Sequence, residues 1–170
     1  VVSRVGPWTT GTTHTAGSGT NRLLVFTVGF ENTVDVSVNG VTYGGQNLTR
    51  INGTAAVSTG GSIGRTELWY LNEIGIGTAT GTTFTVTYDG ATPAEIHYAA
   101  ATYQNVNQTA PILDSSVSST GDPTPNPIQT TVNVAWGATA VSAVFCGNAG
   151  SFTWGNGWGE TTDRSLTTSS

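Results

Sequence analysis

The chain has 170 residues, of which 36% are hydrophobic, 9% are aromatic and only 9% are charged. This length is typical of one domain with a buried core, and the charged fraction lies well below the roughly 25% of ordinary soluble proteins. The net charge is −5 and the five basic residues are all arginine, which argues against nucleic acid and anionic membrane surfaces as partners. No apolar run approaches the roughly 20 residues that a membrane-spanning helix needs.

The N-terminal residues form a short β-capable segment, Val1–Val5, followed by Gly6 and Pro7. Glycine is conformationally permissive and proline removes a donor from a β-ladder, so this pair predicts a hinge. We therefore expect two parts in the chain: a hinge and donor-strand segment at residues 1–7 and a β-sandwich domain at residues 8–170.

Alternation of apolar and polar residues dominates the rest of the chain, and no stretch has convincing helical periodicity. Phe84–Tyr88 and Val34–Val38 alternate strictly, as half-buried antiparallel strands do, whereas Leu23–Phe30 begins apolar on both faces, as a central strand would. Further strands are predicted at Val41–Tyr43, Leu48–Ile51, Arg65–Leu71, Glu95–Tyr103, Gln129–Val134 and Thr139–Cys146. Turn signals separate them, including Asn39-Gly40, Gly44-Gly45 and Asp89-Gly90.

Short strands at this spacing predict an all-β fold, an antiparallel β-sandwich that is most simply a jelly roll. The residues expected to form most of its core are Leu24, Phe26, Val28, Phe84, Val86, Tyr88, Ile96, Val144 and Phe145. Cys146, at the end of an apolar run, is expected to be a buried core thiol.

Four motifs occur in a recognisable order: Gly19–Val25, Val41–Thr49, Glu67–Leu71 and Phe152–Trp158. Together they resemble a jelly-roll-like β-sandwich module of secreted and surface proteins of bacteria, over most of the chain from about Trp8 onward. Such modules stand beside enzymes, adhesins and fibre proteins. The resemblance therefore implies an extracellular or cell-surface location, and no single activity.

Modules of this kind continue past the Trp-Gly-Asn-Gly-Trp region into one or two closing strands. This chain instead ends in the polar residues Thr167–Ser170. We therefore expect a sandwich that lacks its closing strand, with a row of unpaired backbone groups beside an apolar groove.

The supply of reactive groups is small. His14 lies in a threonine-rich stretch and is predicted on a polar strand face, and His97 is predicted to point away from Ile96 and Tyr98. Two histidines fall short of the three or four convergent ligands of a metal site, and motifs for a nucleophile or a phosphate loop are absent from the sequence. Because the acidic residues are scattered, we predict no catalytic residues, no metal and no cofactor; a lyase or hydrolase ranks last.

The tryptophans of a glycine-rich loop suggest a binding role. Trp154 and Trp158 flank Asn156, and exposed indoles here would stack on sugar rings, plug the open end of the sandwich or pack against another subunit. Asn47, Asn52 and Asn107 each begin an Asn-x-Thr sequon and are candidates for glycosylation, which would fit an extracellular surface.

Two function classes follow. The first is a structural subunit that polymerises head-to-tail with copies of itself, by donating its N-terminal strand to a neighbour. The residues assigned to this assembly are Val1, Val2, Val5, Gly6, Pro7 and Trp8. Strict alternation places Val1 and Val5 on one face with Ser3. The alternative is a carbohydrate-binding module of a secreted protein that uses its loop tryptophans.

Overall fold

The computed structural model describes residues 1–52, 55–59, 61–119, 129–146 and 153–155. Almost all of the regular structure in these residues is β. The strands are β1 (Ser3–Thr10), β2 (Leu23–Asn32), β3 (Val38–Tyr43), β4 (Gln46–Asn47), β5 (Thr49–Arg50), β6 (Ala56–Thr59), β7 (Ile63–Asn72), β8 (Phe84–Tyr88) and β9 (Glu95–Gln104). One short helix, α1 (Glu73–Thr78), begins at an N-cap in which the Asn72 side chain accepts a hydrogen bond from the Gly75 amide.

The strands form two antiparallel sheets that pack against each other, which confirms the predicted β-sandwich. The large sheet has six strands in the order β1-β9-β2-β7-β5, and β6 pairs with another part of β7. The small sheet has three strands in the order β4-β3-β8. β2 is central to the large sheet: it pairs with β7 from Leu23 to Asn32 and with β9 from Leu23 to Glu31.

The main core lies between the two sheets. Alternate residues of β2 point into it, and the Phe26 ring stacks on Phe84 of the small sheet with 4.0 Å between ring centroids. Leu24, Phe26, Val28 and Phe84 are buried as predicted, and Val86, Tyr88 and Ile96 are half-buried against the same core. The alternation of β2 and β8 therefore predicted most of this core.

The outer face of the large sheet is covered as well, so β2 is buried on both faces. Leu23, Val25, Ala101, Tyr103 and Val106 form an outer cluster, against which Val2, Trp8, Leu68, Tyr70, Ile112 and Val141 pack. Phe145 lies over Gly29, where a Cβ would approach the Phe145 ring to 3.0 Å. Chain from both ends of the sequence thus closes this face.

The strands predicted at Gln129–Val134 and Thr139–Cys146 are wrong, because both segments are extended chain outside the sheets. Residues 141–146 keep the alternation of a strand but lie on a sheet face, with Phe145 turned inward and half-buried. Val144, predicted in the core, is 36% exposed on the other side, and Cys146 is exposed rather than buried. Of Val144, Phe145 and Cys146, all predicted to be buried, only Phe145 turns inward, and the pattern did not identify a hydrogen-bonded neighbour.

Two further strand boundaries differ from the prediction. Val34–Val38 does not form a strand, since β3 begins at Val38, and Asn39-Gly40 is a register irregularity inside β3 instead of a turn. The predicted strand Leu48–Ile51 is shortened to β5, Thr49–Arg50. Buried Leu48 separates β5 from β4, which pairs in the other sheet. Contacts between the sheets, which alternation does not encode, set these boundaries.

The Gly44-Gly45 turn between β3 and β4 offers a test of the packing at one edge of the small sheet. Both glycines have positive φ, +52° and +83°, but only a Cβ at Gly44 would collide with backbone, at 2.5 Å from the Gly81 carbonyl oxygen. We expect Gly44→Ala to lower the free energy of unfolding by about 2–4 kcal/mol, because backbone strain and a steric clash add. Gly45→Ala, which carries the strain alone, should lose about 1–2 kcal/mol. Urea denaturation of both variants measures the difference, and equal losses would contradict the account.

Candidate assembly strand and its docking site

The N-terminal residues form an edge strand of the chain's own large sheet. β1 pairs antiparallel with β9, with Ser3 opposite Gln104 and Val5 opposite Thr102. The Gln104 side chain donates a hydrogen bond to the Ser3 hydroxyl at 3.3 Å. Within the described residues β9 is the strand to which β1 is paired. An edge position of this kind leaves every second backbone group without a strand partner.

Gly6 and Pro7, where the sequence predicts a hinge, form a bulge inside the continuous strand Ser3–Thr10. Val5 pairs with Thr102 and Thr9 pairs with Ala100, so three residues of β1 stand opposite one residue of β9. Gly6 has φ +75°, a conformation that favours glycine, and its carbonyl accepts a hydrogen bond from Arg4 Nε at 2.9 Å. Bulges accommodate a proline that lacks a ladder donor. The strand therefore continues past residue 7, where the sequence predicted the boundary between the donor segment and the sandwich domain.

β1 buries little of its own surface. None of its seven side chains is fully buried, and Val5 and Trp8 are half-buried on opposite sides of the strand. Trp8 packs in the outer cluster and forms a hydrogen bond with the Tyr103 side chain, whose pKa is raised by burial. Val2 joins that cluster as well, whereas Val1 is 83% exposed. The strand is therefore held by one ladder and by few side chains.

An exposed tryptophan lies in the turn that meets the N-terminus. The Val2 amide donates a hydrogen bond to the Gly137 carbonyl at 2.8 Å, in a turn closed by a hydrogen bond from the Ala138 amide to the Ala135 carbonyl. Trp136 in this turn is 95% exposed, which is unusual for a side chain that is highly buried on average. The sequence analysis did not single out Trp136, although it follows Val134 at the two-residue spacing of side chains that share one face of an extended segment.

His14 is buried, at 3% exposure, and not on a polar strand face as predicted. Its ring bridges two strands: Nδ1 lies 2.8 Å from the Thr9 hydroxyl of β1 and Nε2 lies 2.9 Å from the Thr102 hydroxyl of β9. Two hydroxyls satisfy the ring, which is why it tolerates the interior. Burial lowers the pKa of His14 below its usual value. His14 is therefore part of the docking site of β1.

A buried ion cluster on β7 also escaped the sequence analysis. The Glu67 side chain is 0% exposed and accepts a hydrogen bond from Trp69 Nε1 at 3.0 Å, while Arg50 and Arg65 lie 3.5 and 3.8 Å from its other oxygen. Arg65 also forms an ion pair with Asp35 at 2.9 Å. Burial raises the pKa of Glu67, although the two guanidiniums act in the opposite direction. These contacts tie β7 to β5 and to the β2–β3 loop, which is a structural role.

The residues proposed for sugar binding are only partly described. Trp154 is half-buried, and Asn156 and Trp158 lie outside the described residues. The three sequon asparagines are Asn47, Asn52 and Asn107, and each is exposed. Asn107 also accepts hydrogen bonds from the amides of the next turn, those of Thr109 and Ala110. Exposure is the condition that glycosylation of these residues requires.

The described part of the chain contains no cluster of three or more His, Cys, Asp or Glu side chains arranged to hold a metal ion. Among the helices in that part, none has the length and apolar character to cross a membrane.

The chain was compared with protein-family models, with curated proteins and with solved structures, and none of the three comparisons found a match. Its function is therefore inferred from the sandwich and from the contacts of β1.

Proposed function

We propose that this chain is a non-enzymatic structural subunit of an extracellular filament or surface fibre, assembled head-to-tail when β1 of one copy pairs with β9 of the next. The observation that carries the proposal is the position of β1. It has one paired neighbour among the strands that the structure describes, and none of its side chains is fully buried. Beyond β1 the chain passes through Gly11, whose φ of +85° allows a sharp change of direction.

Exchange of β1 between copies would reproduce the same contacts in trans. The register from Ser3–Gln104 to Thr10–Ala99 requires one β1 strand and one β9 strand. The two strands can belong to the same chain or to two different chains. The hydrogen bonds lost and gained are then equivalent. A head-to-tail contact that does not close into a ring gives a filament.

Exchange alone adds almost no contacts, because the bonds lost and gained are equivalent. A stable interface between copies therefore needs further buried surface to offset the entropy lost on association. Val1, 83% exposed, and Trp136, 95% exposed, supply apolar surface at the point where the N-terminus leaves the sheet. Burying a tryptophan at an interface is among the most favourable single contacts that proteins make. The absence of lysine, a residue that commonly protects sheet edges, is consistent with an edge used for pairing.

Deletion of Val1–Val5 tests the proposal. The truncated chain keeps Thr9, His14 and the main core, so we expect a folded monomer, less stable by about 3 kcal/mol, that no longer assembles. Sedimentation, electron microscopy and circular dichroism of the two chains measure assembly and fold. A synthetic peptide of residues 1–10 should bind the truncated chain.

Normal polymerisation of the truncated chain would overturn the strand-donation proposal. A full-length chain that stays monomeric at high concentration and binds sugar through Trp154 and Trp158 would favour a carbohydrate-binding module instead. Titration of that monomer with oligosaccharides, followed by tryptophan fluorescence, distinguishes the two outcomes.

A further inference from the structure

The main chain around His14 is anchored to the small-sheet side of the sandwich. The Phe84 amide donates to the Thr12 carbonyl at 2.7 Å, and the His14 amide donates to the Thr82 carbonyl at 3.0 Å. The Tyr43 hydroxyl donates to the His14 carbonyl at 2.8 Å. These three hydrogen bonds fix the position of His14 without involving its ring.

The ring points the other way and holds the edge strand. It contacts Thr9 of β1 and Thr102 of β9 through its two nitrogens. The other half-buried residue on this side of β1, Val5, rests on the same loop, where a Cβ added to Gly17 would come within 2.8 Å of Val5 Cγ1. The inward contacts of β1 with this loop are thus made by Thr9 and Val5.

The groups around the ring offer little to compensate a positive charge. β1 and β9 present threonine hydroxyls to the ring. Tyr43 of β3, whose pKa is raised by burial, contacts the His14 carbonyl oxygen instead. β8 is joined to the loop through main-chain hydrogen bonds. Arg22 is the one Arg, Lys, Asp or Glu residue between β1 and β2, and it donates to the Gly17 carbonyl at 2.7 Å and forms an ion pair with Glu73.

We propose that His14 is a pH-sensitive latch: the neutral ring holds β1 against β9, and protonation of the ring releases β1, which frees the strand to exchange between copies. The same contact forms in trans once the ring is neutral again. The role in assembly rests on the proposed function, whereas the release of β1 does not. An imidazolium between neutral hydroxyls is a buried charge without a counter-ion. Because the backbone of His14 is anchored, the displacement that exposes the ring to water is that of the edge strand.

The direction of the pH dependence follows from the geometry and from burial. With β1 docked the pKa of His14 lies below its usual value, and with β1 released it returns toward that value, about 6.5. Well above pH 6.5, near about pH 7.5, the ring is neutral in both states and docking is at full strength. As the pH falls below about 6.5, the released state takes up a proton first, so the released fraction rises by up to about tenfold per pH unit.

Hydrogen–deuterium exchange of the full chain tests the latch between about pH 7.5 and pH 5. After correction for intrinsic exchange rates, the opening equilibrium constant of the β1 amides should rise by up to about 30-fold from the higher to the lower pH. The amides of Leu24–Val28 serve as the reference for global opening. His14→Gln keeps a neutral donor and acceptor and should abolish the extra rise. His97→Gln removes the other histidine and should leave it unchanged.

The possible results separate the latch from the assembly. If β1 protection changes with pH no more than protection of Leu24–Val28, or if His14→Gln retains the wild-type response, the latch is overturned even where filaments form. If β1 opens on acidification but sedimentation shows monomers throughout, the latch stands and the filament proposal fails.

Discussion

Replacing Glu67 with alanine is expected to lower the free energy of unfolding by about 3–5 kcal/mol, because removal of one partner leaves a buried charge uncompensated. Glu67 is fully buried, and Arg65, whose side chain is only 9% exposed, lies 3.8 Å from it. Without the carboxylate, Arg65 depends on Asp35, and Trp69 Nε1 loses its acceptor. Equilibrium denaturation in urea measures this loss.

Asp35→Asn is the matched control, since this carboxylate also contacts Arg65 but its side chain is 69% exposed. Because this carboxylate is largely in water and Arg65 keeps Glu67 as a partner, we expect a loss below about 1 kcal/mol. Glu67→Gln should fall between the two, because an amide oxygen can still accept from Trp69. If Glu67→Ala and Asp35→Asn lost the same stability, burial would not be the cause.

Replacing Trp136 with serine is expected to leave folding unchanged and to weaken self-association by about 30-fold, the equivalent of roughly 2 kcal/mol for an interface anchor. The side chain is 95% exposed in the single chain, so its removal leaves no cavity. It lies beside the N-terminus, where β1 enters the sheet. Sedimentation at several concentrations measures the association, and thermal denaturation of the monomer measures the fold.

Val34→Ser is the control for a general loss of surface hydrophobicity. Val34 is 58% exposed and lies two residues beyond the end of β2, at the end of the sheet opposite to the start of β1. Its replacement should not change self-association. An equal effect of Val34→Ser, or no effect of Trp136→Ser, would remove Trp136 from the proposed joint.

The three long strands of the large sheet, β2, β7 and β9, were predictable because each buries one or both faces, whereas β6 was not predicted. β2, β7 and β9 pair over nine or ten residues, and the alternation of apolar side chains in Phe84–Tyr88 identified β8 directly. Gln129–Val134 and Thr139–Cys146 carry the same alternation and form no strand. Periodicity indicates which side chains turn inward. A strand also needs a hydrogen-bonded neighbour, which another part of the chain has to supply.

The candidate site was predictable only in its main element. The sequence identified the N-terminal segment and the special backbone at Gly6, but it placed His14 on a polar surface. His14 meets Thr9 and Thr102, which is 88 residues away, only because a loop folds under the edge strand. Glu67 was similarly hidden, since its ion cluster depends on Arg50, which β5 brings beside Glu67 from another strand. Both are contacts between distant residues that a local pattern does not contain.

Cross-linking of β1 to β9 between copies tests the central claim most directly. Ser3 and Gln104 are register partners whose side chains already meet, so cysteines at these positions can form a disulfide. The exposed Cys146 is first replaced by serine. A Ser3→Cys chain and a Gln104→Cys chain are mixed under assembly conditions and oxidised, with the unmixed samples and a pairing of Ser3→Cys with Thr87→Cys on the small sheet as controls.

Strand donation predicts a disulfide between the two different chains in the mixture, and a ladder of linked oligomers when one chain carries both cysteines. The Thr87→Cys control should give no such link, because this residue pairs in the small sheet, opposite Gly40. If the doubly substituted chain gives only internally linked monomers and the mixture gives no link between chains, β1 remains in its own sheet and the account is contradicted.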